Sequence, residues 1–181
     1  MKHALIIGGT GMLAGVTIWL NETGYFTTVL ARNQEGFSQL VKQLPSRHQF
    51  ISLDYKNTGD LKNKLWDTIN NNGKIDLVIA WIHLDAPEAI PTILSVIAQN
   101  QKENFQFFHI KGSSYRLKIG SNPFHLPENC VYHDVQLGFK LEGNRARWLT
   151  HEEICAGVIT AIQTGKDHTI VGQLEPWEMR P

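Results

Sequence analysis

The chain has 181 residues, and 17 Lys and Arg balance 17 Asp and Glu for a formal net charge of zero. That balance argues against a nucleic-acid binder and against a polybasic membrane-surface protein, both of which need a basic face for phosphates. Hydrophobic residues make up 42%, too many for disorder and enough for one core, so a single domain over 1–181 is expected; the two cysteines, Cys130 and Cys155, exclude a disulfide framework and fit a reducing, cytoplasmic setting. The uncharged stretch Ala4 to Leu20 mimics a signal peptide, but Gly8, Gly9, Gly11 and Gly15 interrupt it and no small-residue cleavage pattern follows. No segment is read as a membrane span.

Along the chain, short β-branched or aromatic runs alternate with runs of helical period. Strands are predicted at His3–Ile7, Thr27–Ala31, His48–Leu53, Ile75–Trp81, Phe105–Ile110, Val131–Phe139 and Thr169–Val171. Most are near-continuously apolar, as strands covered on both faces should be. Between them, Met12, Val16, Trp19 and Leu20 share one helical face, with Gly24 as the stop. Phe37, Leu40, Val41 and Leu44 form a second stripe, Leu61, Leu65 and Ile69 a third, and Ile90, Ile93, Leu94 and Ile97 a fourth. Thr150-His-Glu-Glu153 reads as a capping box opening a helix with Ile154, Val158, Ala161 and Ile162 inward. The alternation predicts an α/β fold, a single doubly wound domain with a parallel sheet of about seven strands. The stretch Lys111 to Glu128 breaks the pattern: Gly112, Gly120, Pro123 and Pro127 interrupt it, and it shows no sustained period.

The first strand runs into Gly8-Gly9-Thr10-Gly11-Met12-Leu13-Ala14. Gly8 allows a sharp turn, Gly11 allows a phosphate to approach the backbone, and Ala14 is small enough for close packing of helix on strand. The amides of such a turn and the dipole of the following helix favour a diphosphate. In order and spacing of elements nearly the whole chain resembles a short-chain dehydrogenase/reductase of the extended or atypical branch, whose first turn reads TGxxGxxG. Here Ile7 replaces the Thr, Gly8 and Gly11 match, and Ala14 replaces the last Gly. The resemblance implies that Gly8, Thr10, Gly11, Met12 and Leu13 hold a pyrophosphate. It implies that Asp54 and Tyr55 lie on the adenine side and that Ala80, Trp81 and Ile82 line the ribose path. Ser113 and Gly138 would then lie near nicotinamide. The second strand ends in Ala31-Arg32-Asn33 with no carboxylate, so Arg32 and Asn33 are expected to meet a 2′-phosphate, making NADP(H) the expected cofactor.

The family's Tyr-x-x-x-Lys is missing. Tyr115-Arg-Leu-Lys118 is one residue too short, and Tyr132-His-Asp-Val-Gln136 ends in Gln. Beside Ser113, three readings stay open: Tyr115 and Lys118 as a relocated donor and its partner, His83 as the donor with Asp85 tuning it, or no donor at all. No metal site is expected, because His109, His125, His133, His151, His168, Cys130 and Cys155 show no ligand spacing. Trp177 is read as an anchor for the C-terminus or a subunit contact. The expected function is an NADPH-dependent oxidoreductase passing hydride to a small carbonyl or imine substrate. The alternative is a non-catalytic NADP(H)-binding regulator or sensor, and a structural partner subunit is a third. A homo-oligomer, dimer or tetramer, is expected, because the apolar run Ile90 to Ala98 needs a cover from a second chain or from the Lys111–Glu128 loop.

Overall fold

The computed structural model describes residues 1–45, 47–113 and 124–181. In chain order the elements are β1 (His3–Ile7), α1 (Ala14–Glu22), β2 (Phe26–Ala31), α2 (Gln34–Leu40), β3 (His48–Ser52), α3 (Thr58–Asn72), β4 (Leu77–Trp81), α4 (Ala89–Asn100), β5 (Phe105–Lys111), β6 (Cys130–Leu137), β7 (Phe139–Glu142), β8 (Arg145–Trp148), α5 (His151–Thr164) and β9 (His168–Val171). Seven of the strands form one sheet in the order β3-β2-β1-β4-β5-β6-β9, every neighbour parallel. The order reverses between β1 and β4, which opens a crevice above the carboxyl ends of those strands.

Side chains alternate between two layers, as strand geometry requires. Leu5, Ile7, Val78 and Ala80 face α3 and α4, whereas Ala4, Ile6, Leu77 and Ile79 face α1 and α5. The apolar stripe of α4 is buried within the chain: Ile90, Ile93, Leu94 and Ile97 join the first cluster, and Phe124 and Leu126 pack against it. The stripe itself therefore does not require a second chain as its cover.

Several expected boundaries shift for identifiable reasons. β4 begins at Leu77 rather than Ile75, because the backbone of Ile75 is bonded instead by the Gln101 side chain, which accepts from its N–H and donates to its carbonyl, both at 2.9 Å. α1 begins at Ala14, leaving Met12 in the turn before it. The expected strand Val131–Phe139 divides at Gly138 into β6 and β7, and β7 pairs with β8 as an antiparallel hairpin outside the main sheet. The division follows from a close crossing. Phe139 and Gln173 exchange two backbone hydrogen bonds of 2.9 Å, and a Cβ on Gly138 would stand 2.1 Å from the Gln173 carbonyl oxygen.

Two outcomes test this architecture. Gly138→Ala is expected to destabilise the fold by about 3 kcal/mol or more, read from urea unfolding, because a backbone atom rather than a flexible side chain blocks the added methyl. Acid should unfold the protein partly through His109. This side chain is 0% exposed, and burial first, then the Lys111 charge, lowers its pKa from 6.5 to about 3. The unfolded chain therefore binds a proton that the folded chain refuses, so stability is complete above pH 6.5 and falls as the pH drops towards 3. Each pH unit in that window costs up to about 1.4 kcal/mol from this group, and His109→Phe should flatten the slope.

Candidate functional site at the carboxyl ends of the strands

The turn after β1 is shaped by two glycines with different tasks. Gly8 turns at φ +81°, and its N–H donates to the Leu30 carbonyl at 3.0 Å, tying the turn to the end of β2. Gly9 is pressed into the layer below: a Cβ there would stand 2.6 Å from Ile6 Cγ2 and 2.8 Å from Thr17 Oγ1, and the Thr17 hydroxyl donates to the Gly9 carbonyl at 3.1 Å. Gly11 is the opposite case. It is exposed, and a Cβ on it would meet nothing within 4 Å. The N-cap of α1 is Leu13, which offers no side-chain bond, and the first turn of α1 holds no acidic residue. Among the described residues, no hydrogen bond takes the N–H of Thr10, Gly11, Met12 or Leu13. The result is an open cradle of amides at a helix N-terminus, the arrangement that attracts phosphate. Leu13 is fully buried, so the accessible part of the turn is Thr10 to Met12. Met12 is half-buried, and its carbonyl accepts from Cys155 Sγ at 3.1 Å.

Beside the cradle, Arg32 follows β2 and is exposed, with no ion-pair partner among the described residues. Asn33 caps α2, its Oδ1 accepting the Gly36 N–H at 2.8 Å, which leaves its amide group turned to other uses. Asp54 is exposed and accepts the Lys56 N–H at 3.1 Å. Tyr55 is a core residue: its ring packs in the α3/α4 layer, and its hydroxyl accepts the His83 N–H at 3.4 Å. Asp85 has Lys56 as its principal partner at 2.5 Å and also feels the charge of His83. That ion pair holds the Asp85 carboxyl below its ordinary range and the Lys56 ammonium above its own. His83 is exposed and meets the Trp81 indole edge-on at 5.6 Å.

A cleft of about 270 Å³ lies above β4, β5 and β6, walled by Met12, Trp81, Gly112, Ser113, Leu137, Gly138, Trp148, Leu149, His151 and Ile154. It brings together four of the residues singled out in the sequence, Met12, Trp81, Ser113 and Gly138. The Trp81 indole forms its floor, reaching from the Gly8 turn to Gly112, where its Cη2 lies 3.3 Å from the place of a Gly112 Cβ. Ala80 and Ile82 are buried in the α3/α4 layer, on the other side of the sheet, and neither lines the cleft. Ser113 is 9% exposed. Tyr115 and Lys118 lie outside the described residues.

Sequence reasoning missed Trp148, Leu149 and His151, which the hairpin and the start of α5 deliver to the cleft. The capping box is present: Thr150 Oγ1 accepts the Glu153 N–H at 3.2 Å, and Glu153 Oε2 accepts the Thr150 N–H at 2.9 Å. Arg147 and Lys140 of the hairpin each reach Glu153 at 2.8 Å and, with the Thr150 N–H, hold its carboxyl well below the usual range. A larger groove of about 510 Å³ runs between α1 and α5 and shares Met12 and His151 with the cleft. Among the described residues, no group of three or more His, Cys, Asp or Glu side chains could hold a metal ion, and no helix is long and apolar enough to cross a membrane.

Gly9 and Gly11 should separate on substitution. Gly9→Ala is expected to cost about 1–3 kcal/mol in urea unfolding, because Ile6 and Thr17 occupy the space, whereas Gly11→Ala should leave the unfolding midpoint unchanged.

No protein-family model matches the sequence, and no curated protein matches it. Solved structures do. A short-chain dehydrogenase/reductase from Serratia marcescens superposes with a TM-score of 0.71 at 13% identity, over 94% of this chain and 97% of that one. A variant actinorhodin polyketide ketoreductase with NADPH gives 0.73 at 12%, over 96% of each chain. A short-chain type dehydrogenase/reductase from Mycobacterium marinum gives 0.69 at 15%, over 97% of this chain and 95% of that one. The chain is thus structurally similar to short-chain dehydrogenase/reductases across nearly its full described length, and at these identities the likeness is one of fold.

Proposed function

We propose that the chain is an NADPH-dependent oxidoreductase that reduces a small carbonyl or imine. The observation that carries the reading is the Gly8–Leu13 turn: unpaired amides, an open Gly11 and a helix N-terminus free of acidic residues, set beside the strand-order reversal where dinucleotides bind. These features fit a dinucleotide. The backbone of Gly8, Thr10, Gly11, Met12 and Leu13 would hold the diphosphate. Arg32, with the amide of Asn33, would hold a 2′-phosphate. Asp54 stands at the adenine side of the same edge.

NADPH, when bound, supplies the two electrons and hydrogen of the reduction. The protein's own work is placement. Trp81, Leu137, Trp148 and Leu149 give the cleft apolar walls that exclude water from the acceptor. Ser113 offers a hydroxyl to the acceptor's oxygen, while Gly112 and Gly138 let the Trp81 indole and the Gln173 backbone pack closely behind the cleft. The competing reading, an NADP(H)-binding regulator without turnover, draws on a specific observation: the described walls of the cleft hold no Tyr–Lys pair.

Titration by nicotinamide fluorescence tests the reading. NADPH should bind more tightly than NADH. Arg32→Ala should weaken NADPH about tenfold or more, the worth of a charge-assisted bond, while leaving NADH unchanged. Gly11→Ala should weaken both without loss of stability. Equal affinity for the two coenzymes would sink the NADP(H) assignment, and no binding of either would sink the enzyme and the regulator together.

A further inference from the structure

We propose that His151 is the proton donor of the cleft, protonating the oxygen of a carbonyl acceptor, or the nitrogen of an imine, as it is reduced. The proposal rests on the NADPH-dependent reduction proposed above. Reduction of a carbonyl leaves negative charge on oxygen, and a positioned acid that neutralises it speeds the step by about 10²–10⁴-fold. Among the described residues lining the cleft, His151 is the one titratable side chain; its neighbours are apolar residues, glycines and Ser113.

The other candidate groups are engaged elsewhere. His109 is fully buried, with Nδ1 against the Tyr132 hydroxyl at 2.7 Å. His133 is buried, with Nδ1 against the Lys166 carbonyl at 3.0 Å. Lys111 pairs with Asp134 at 2.9 Å. His83 meets Trp81 edge-on at 5.6 Å and is not among the residues that line the cleft.

His151 is also held in place. It is the first residue of α5, directly after the Thr150 cap, and Glu153 is committed to Thr150, Arg147 and Lys140 rather than to the imidazole. Its shared membership of cleft and groove sets it, with Met12, where the cradle opens towards the cleft. His151 is exposed on its outer side, so solvent can return the proton.

The step balances. His151 gives its imidazolium proton to the acceptor oxygen while the acceptor carbon takes a hydride, two electrons with a proton, from reduced nicotinamide. The C=O π bond breaks, one C–H and one O–H bond form, nicotinamide is left oxidised, and neutral His151 is reprotonated from water. For an imine the same proton goes to nitrogen.

The test compares wild type with His151→Gln, using diacetyl and pyrroline as carbonyl and imine probes. Turnover is followed at the reduced-nicotinamide absorbance band, NADPH binding by fluorescence, and the imidazoles by NMR. Glutamine keeps a similar reach and can hydrogen-bond, but it cannot yield a proton. The substitution should lower kcat about 100-fold or more, within the range for a lost general acid. NADPH affinity should stay the same, and imidazole added to the buffer should restore part of the rate. The imidazole signal absent from the variant should move in wild type when NADP⁺ saturates the site. A variant that keeps its kcat overturns the assignment of His151 and leaves the cofactor reading standing. Wild type that binds NADPH but reduces neither probe also overturns it. Wild type that binds no NADPH overturns the cofactor reading itself.

Discussion

Gly8 has to turn left-handed between two fixed walls, the Leu30 carbonyl that receives its N–H and the Trp81 carbonyl that would lie 3.2 Å from any Cβ it carried. Those walls are the ends of β2 and β4, the strands on either side of β1. The turn is therefore clamped at the point where the sheet reverses its order. Gly9 adds the second constraint by pressing into Ile6 and Thr17. With both positions fixed inward, the amides of Thr10, Gly11 and Met12 take no hydrogen bond among the described residues, and Gly11 is exposed. The open cradle is a consequence of packing at Gly8 and Gly9.

The cleft depends on a different part of the chain. No described helix joins β5 to β6, and what stands over the carboxyl end of β6 is the β7–β8 hairpin and the start of α5. Exposed ion pairs contribute little stability singly, but here they converge on one carboxylate. Glu153 takes two bonds from Arg147, one from Lys140 and one from the Thr150 N–H, joining hairpin to helix. Arg180 of the C-terminal tail lies over the rings of both Trp148 and Trp177, which ties the tail to the same hairpin and gives Trp177 an anchoring part. The wall that carries Trp148, Leu149 and His151 is thereby braced from two directions.

The layered fold was legible because its signal is local. Strands covered on both faces read as continuous apolar runs, and His3–Ile7 coincides with its predicted bounds. The same property misled at Phe139: an apolar run does not show where a strand leaves its sheet, and the Gly138–Gln173 crossing that breaks it joins residues distant in sequence. The hairpin did carry a signal, Gly143-Asn144 between two short runs, with Gly143 at φ +62°. Site residues divide the same way. Gly8, Gly11 and Arg32 follow directly from strand ends, so their place at the carboxyl end of the sheet could be read. Tyr55 follows a strand end too, but its neighbour Leu53 and the helix residue Leu61 draw it into the core. Asp85 sits two residues from His83, yet Lys56, distant in sequence and adjacent in space, takes its carboxylate. His151 read as part of a capping box and as a histidine without ligand spacing, because only the tertiary fold brings that helix start to the ends of β4 and β5.

A net charge of zero is compatible with the proposed binding of NADPH, because recognition of an anion depends on where charges are left over. At the ends of β2, β3 and β4 four charged groups gather, Arg32, Asp54, Lys56 and Asp85, and their signs cancel. They do not cancel pairwise. Lys56 is drawn to Asp85 by a direct bond and feels Asp54 as well, while Arg32 is close enough to repel it. The ammonium is thus committed to Asp85, and among the described residues the guanidinium has no ion-pair partner. A planar, always-charged group beside a diphosphate cradle is suited to a second phosphate. The acidic residues at this edge, which would repel that phosphate if left unpaired, are partly neutralised by Lys56. The discrimination between the two coenzymes would then rest on Lys56 and Asp85 as well as on Arg32, with the ion pair holding negative charge away from the place a 2′-phosphate takes.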